Sequence, residues 1–354
     1  MTERLVEIGN LRTGKKNNIC DVPSVLVGHV TIKDESNKTG ITAILPHNGN
    51  LFEEKVVGAS YVYNGFGKSV GLIQVDELGT VETPILLTNT LSVGKVADGL
   101  ISYMIKDNPN IGVKTSTVNP LVLECNDGSI NQIQKRVLEE KHIFEAIEVA
   151  ADDFKQGNIG AGTGMKCHGF KGGIGSSSRI VKINNKEYTL GVLVNSNFGS
   201  SNGEDLIFNG RRLGNLIKDY NLKKEEDKGS IIVVIATNAP LDARQLKRLA
   251  KRAELGIART GSYAGNGSGD IMIAFSTENR IKNDPKKAID EILRFSDSFI
   301  NPLFKAVVDA TEEAVLNSML YSTGETSYNG IYYKSLMEYK DLFKDLMVRN
   351  DENI

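Results

Sequence analysis

The chain has 354 residues, 40% of them hydrophobic, with 42 basic against 44 acidic side chains and a net charge of −2; it can bury a large core, and no long-range field favours nucleic acid or an anionic membrane. Three widely separated cysteines, Cys20, Cys125 and Cys167, fit neither a disulfide framework nor a zinc knuckle. The N-terminal segment lacks the apolar core of a signal peptide and no run approaches the ~20 apolar residues of a membrane span, so a soluble, cytoplasmic protein acting on a small molecule or peptide is expected.

In chain order, short β-branched or apolar runs predict strands at residues 25–32, 40–45 and 70–75. A helix is predicted over 93–105, a strand over 120–123, a helix over 135–154 and strands over 188–194 and 230–237. The strongest helical signal is "APLDARQLKRLAKRAELGIART", where Leu246, Leu249, Ala250, Ala253 and Ile257 share one face and Pro240 suits the first turn. A strand over 270–276 follows, then helices over 285–295 and 302–320, with Asn283-Asp284 and Asn301 as caps before their prolines. Strands and helices interleave throughout, and only the polar "KDYNLKKEEDKG" breaks the composition, so one layered α/β domain is expected over 1–354.

Several motifs fail on inspection. "NGFGKS" ends like a phosphate-binding loop, but Val62 stands where the first glycine is required. The same residues make a formal G-x-S-x-G around Ser69, yet the run after the serine reads as a strand where a nucleophile elbow needs a helix. His29, His47, His142 and His168 show no paired ligand spacing, so no metal or other cofactor is expected. "RQLKRLAKR" places its cations away from the apolar stripe, as on a solvated helix face. "GAGTGMKCHGFKGGIG" satisfies no dinucleotide fingerprint and reads equally well as a loop packed against another segment.

The junction Gly229-Ser230, where charged sequence gives way to "SIIVVIAT", supports different chemistry. A serine hydroxyl needs a base, and no histidine has a claim to that task. The serine's own α-amino group, with a reference pKa of about 7.7–8, would serve if the bond before it were cut. Glycine before the serine leaves the carbonyl unshielded and tolerates distortion. By itself, however, Gly-Ser before a strand is commonplace.

The wider pattern resembles the L-aminopeptidase/D-esterase and β-peptidyl aminopeptidase family of self-processing peptidases. The resemblance rests on "DVPSVLVGHVT", "NGFGKSVGLIQVDELGTVETPILLTNTLSVGKVADGL", "LVLECNDGSIN", "GAGTGMKCHGFKGGIGSSSR", "LVNSNFG" and "GSIIVVIATNAPLDARQLKRLAKRAELGIARTGSYAGNGSGDIMIAFST". It implies a four-layer α-β-β-α sandwich similar to N-terminal nucleophile hydrolases, and maturation by cleavage between Gly229 and Ser230 into chains 1–229 and 230–354. Ser230 matches the nucleophile, Asn197 the oxyanion donor, and Ser268 and Asp270 the pair that orients the free amine. Glu124 and Asp127 are candidates for the substrate ammonium, and either can equally cap a turn. Where many relatives carry an aromatic residue after "ECNDG", this chain has Ser129. The resemblance also implies a homo-oligomer, a tetramer of processed units. An acyltransferase of the ornithine acetyltransferase type, an ω-amino acid oligomer hydrolase and a non-catalytic scaffold are the alternatives.

Overall fold

The computed structural model describes residues 4–217, 229–283, 286 and 288–348. Two sheets carry the fold. The smaller holds β1 (Leu26–Lys33), β2 (Lys38–Leu45), β5 (Ile85–Asn89) and β6 (Leu121–Cys125) in the order β1-β2-β5-β6, antiparallel except for the β5–β6 pair. The larger holds β3 (Glu54–Gly65), β4 (Thr80–Val81), β7 (Gly173–Ile183), β8 (Lys186–Asn197), β9 (Ser230–Thr237) and β10 (Gly269–Lys282) in the order β4-β3-β10-β9-β8-β7, with only β9 and β10 parallel. Helix α1 (Leu72–Leu78) sits beside β3; α2 (Val93–Asp107) and α3 (Glu140–Glu148) cover the smaller sheet, and α4 (Ala243–Ala258) and α5 (Asn301–Leu320) cover the larger.

Three buried clusters fill the three gaps of this four-layer α-β-β-α sandwich. Alternation along a strand sends successive side chains to opposite faces. Ile231, Val233 and Ile235 of β9 therefore meet Leu246, Leu249 and Ala253 of α4 and Val307 and Ala314 of α5. Ile232, Val234 and Ala236 face the smaller sheet, packing with Ile85, Leu87, Leu121 and Leu123. On the far side, Val30, Ile41 and Val122 meet Val96, Leu100 and Ile143. A strand buried on both faces needs a continuous apolar run, which is what "IIVVIA" supplies.

Four local expectations are corrected. The run 70–75 is not a strand: Val70 makes one isolated bridge to Val122, Gly71 takes φ +92 against the Pro120 carbonyl, and helix α1 follows. The strand–loop–helix order of an elbow thus does surround Ser69, but its Oγ is buried without a partner among the described residues, so no base serves it. Pro240 lies before α4, whose cap is Asp242, reciprocally bonded with Gln245. The described residues of 285–295 form no helix, because the backbone of Leu293 and Phe295 is bonded to Asn279, Pro240 and Gln245. Asp284 and Pro285 lie outside the described residues, as does 218–228 of the polar segment. In α5, Asn301 is the first helical residue and not a cap; the cap position is Ile300, which has no side-chain oxygen to offer.

Candidate active site

Ser230 opens β9 and shares the inter-sheet face with Ile232 and Val234. It is buried, in direct register with Asn197 at the end of antiparallel β8. Paired residues point to the same face, so the two side chains meet: Asn197 Nδ2 lies 3.5 Å from Ser230 Oγ. That amide is fixed from two further directions. Its Oδ1 accepts the Lys166 N–H at 3.1 Å, and its Nδ2 donates to the Asn126 carbonyl at 3.0 Å.

The Lys166 donor comes from the glycine-rich loop, which packs closely against another segment: a Cβ on Gly164 would strike the Lys38 carbonyl. The buried Lys171 ammonium ties this loop together by donating to the carbonyls of Gly162, Met165 and Gly172 at 3.3, 2.6 and 2.9 Å. Burial pulls its pKa down to about 7.

On the other side of β9, Ser230 is in parallel register with Gly269. The Gly269 N–H donates to the Gly229 carbonyl oxygen at 3.3 Å, and the residues flanking Gly269 are joined by a 2.6 Å hydrogen bond from Ser268 Oγ to Asp270 Oδ1. The structure thus brings Ser230, Asn197, Ser268 and Asp270 together at one end of the larger sheet. No room exists for a side chain at Gly229, where a Cβ would run into the Asn197 carbonyl and Phe198 Cα.

Glu124 and Asp127 are also buried, on either side of Asn126, whose carbonyl holds Asn197. Glu124 Oε1 accepts the Lys68 N–H at 2.8 Å and Oε2 is bonded by the Thr90 hydroxyl. The Lys68 loop passes over Gly269: a Cβ built on Gly269 would come 3.3 Å from Gly67 Cα. Asp127 accepts from Asn131 Nδ2 at 3.0 Å, beside Thr39 and Asn89, and burial raises its carboxyl to about 7.

Two neighbours escaped the sequence reading. Cys125 Sγ donates to the Asn195 carbonyl at 3.3 Å and lies beside the Ser230 side chain, and burial pushes its thiol upward. Asn195, two residues before Asn197 on the same face, is buried with neither amide atom bonded among the described residues. Only their nearness to "ECNDG" and "NSNFG" could have flagged them.

The histidines are engaged elsewhere: His29 with Thr42, His47 with the Glu54 carbonyl, His142 with the Glu139 N–H at the start of α3, and His168 edge-on against Phe198. Among the described residues no group of three or more His, Cys, Asp or Glu can hold a metal ion, and no helix is long and apolar enough to cross a membrane.

Comparison with known proteins places this geometry in context. The model of peptidase family S58 matches residues 17–332. The β-peptidyl aminopeptidase BapA of Sphingosinicella xenopeptidilytica is 38% identical over 339 residues, 89% of this chain and 83% of the relative. Among solved structures, the PH0078 protein of Pyrococcus horikoshii OT3 superposes with a TM-score of 0.91 at 50% identity, over 96% of this chain and 97% of that one. The L-aminopeptidase D-Ala-esterase/amidase of Ochrobactrum anthropi, a variant of the Ntn hydrolase fold, gives 0.87 at 31% identity over 95% and 96%.

Proposed function

The chain belongs to peptidase family S58, and from that membership we propose that it is a self-processing aminopeptidase releasing N-terminal residues from short peptides, amides or esters through Ser230. The observation that carries this reading is the placement of Ser230 between two prepared partners. An amide donor, Asn197, lies on its hydroxyl, and the Ser268–Asp270 pair flanks the residue alongside it.

In the uncut chain, Ser230 Oγ attacks the Gly229 carbonyl carbon, whose oxygen already accepts the Gly269 N–H. The C–N bond breaks, the nitrogen takes up the proton, and an ester joins the two parts. Water hydrolyses the ester, leaving chain 1–229 with a carboxylate at Gly229 and chain 230–354 with a free α-amine.

That amine is then the base. It takes the Oγ proton as the oxygen attacks a substrate carbonyl and returns it to the departing amine, leaving an acyl ester on Ser230. Water, its proton taken by the same amine, then cleaves that ester, releasing the acid and restoring the hydroxyl. Asn197 Nδ2 is the donor for the oxyanion, where an aimed N–H strengthens as charge develops. Ser268 and Asp270 hold the transient ammonium. Glu124, tied to the loop over Gly269, and Asp127 are the carboxyls we assign to the substrate's own ammonium.

Intact mass and N-terminal sequencing test the scheme. The purified protein should resolve into two chains, the smaller starting at Ser230, and Ser230→Ala should stay whole and inactive on an aminoacyl p-nitroanilide. An active preparation that remains one chain would sink it. We also propose a homo-oligomer, supported by the exposed Val62, Tyr63, Phe66, Ile73 and Leu78 around β3 and α1; sedimentation as a monomer at micromolar concentration would refute that. Cys20, Cys125 and Cys167 are buried and form no disulfide among the described residues, which favours a reducing, cytoplasmic setting.

A further inference from the structure

Helix α4 carries a carboxyl where its periodicity requires hydrocarbon. Glu254 lies in the buried stripe, four residues after Ala250 and three before Ile257, and is 8% exposed. Its Oε2 is buried with no hydrogen-bond partner among the described residues. An ionised carboxylate so placed is costly unless it is paired, and otherwise the group holds its proton.

The group whose charge acts on it is Asp270. Helix α4 packs on β10, and alternation puts Asp270 on the helix-facing side with Met272 and Ala274, opposite the face that carries Ile271 and Ile273. The other charges around α4 lie against other groups. Lys251 lies over the Tyr61 ring of β3, Arg252 over the Phe304 ring of α5, and Arg259 pairs with Asp309 and Glu312 of α5. Lys247 pairs with Asp76 of α1, and Arg244 and Arg248 with Asp297.

We propose that Glu254 is a positioning residue acting through Asp270, neutral at low pH and a second negative charge behind Asp270 at high pH, so that it sets the pH at which the Ser230 amine becomes a free base. The inference rests on the assignment of Asp270 to that amine. Burial, with the charge of Asp270 added, pushes the Glu254 carboxyl up to about 7, so it ionises just where the amine must lose its proton. A second negative charge favours the ammonium and delays that loss.

The pH profile of kcat/KM tests this. In Glu254→Gln the ascending limb should move to lower pH by about half a unit or more, roughly a threefold gain below the midpoint, and Glu254→Asp should restore most of the original position. Superimposable limbs in wild type and Glu254→Gln would overturn it; Glu254→Leu, which suits the stripe, replaces the glutamine if that variant fails to fold. A second readout needs no activity. A carboxyl whose folded pKa exceeds its unfolded value costs stability as pH rises from about 4.5 through 7. In Ser230→Ala chains, Glu254→Gln should therefore gain denaturant resistance over its parent across that range, and the gain should shrink when Asp270→Asn is added. An equal gain with either residue at 270 would refute the pair. A wild type with no hydrolytic activity would remove the aminopeptidase reading instead, with the denaturation curves still deciding on the carboxyls.

Discussion

Asn197 is held at both ends of its amide, and that makes its contribution measurable. Because the Lys166 N–H occupies Oδ1, the NH2 end must face Ser230 and Asn126, and an aimed donor of this kind serves the oxyanion more than the ground-state carbonyl. Asn197→Ala should lower kcat on an aminoacyl p-nitroanilide by roughly 10²–10³ in the cut fraction, with KM moving much less; a change under tenfold would remove Asn197 from the oxyanion site. Gly229 can be tested in the same way. A methyl there has no space against the Asn197 carbonyl and Phe198, so the Gly229 carbonyl must leave its place near the Gly269 N–H. Gly229→Ala should slow self-cleavage at least about tenfold in a time course on denaturing gels, and cleavage at the parent rate would sink that expectation.

Between elements, the ion pair Arg179–Glu313 joins β7 to α5 with both side chains fully buried. Arg179 also donates to Ser177 Oγ, the Ser178 carbonyl and the Ile8 carbonyl, and Glu313 also takes Arg4 and the Ile8 N–H. Removing one partner of such a pair leaves the other charged and uncompensated, so Glu313→Ala should cost about 3–5 kcal/mol in urea unfolding; a loss under 1 kcal/mol would show that water reaches Arg179. This pairing also explains why some elements were hidden in the sequence. "GIGSSSRIVKI" reads as loop because its serines and arginine are polar, yet they are buried by bonds to Asn17, Asp21 and Glu313 that lie far away in the chain. β3 is hidden by its polar tip and β5 by having only Ile85, Leu86 and Leu87 as apolar residues, whereas β9 is the continuous apolar run of a strand buried on both faces and α4 follows its periodicity at Leu246, Leu249, Ala250, Ala253 and Ile257 but not at Glu254. The candidate site divides in the same way. Ser230, Asn197, Ser268 and Asp270 are candidates that motifs supply and the fold brings together, while Cys125, Asn195 and Glu254 stand out only through what folding sets beside them.

For the whole molecule, the buried titratable groups oppose one another across the acid range. Burial pushes His29 and His168 down to about 4. An imidazole with a folded pKa below its unfolded value of about 6.5 supports the fold above that pH and withdraws support as pH falls toward 4. Asp127 and Glu254, both raised to about 7, act in the reverse sense: their ionisation costs stability between about 4 and 7, so acidification relieves it. Each pH unit of separation is worth about 1.4 kcal/mol, and the two imidazoles and two carboxyls span similar windows. Uncut Ser230→Ala protein should therefore change in stability by less than about 2 kcal/mol between pH 4.5 and 6.5. Removing either side should expose the other. His168→Phe, which keeps a ring against Phe198, should become more stable on acidification relative to its parent, and Glu254→Gln less so, read as denaturant midpoints at pH 5 and 7.5. Parallel curves for parent and both variants would mean that these groups titrate alike in the folded and unfolded chains, and the interior would then have to be wetter than its packing allows.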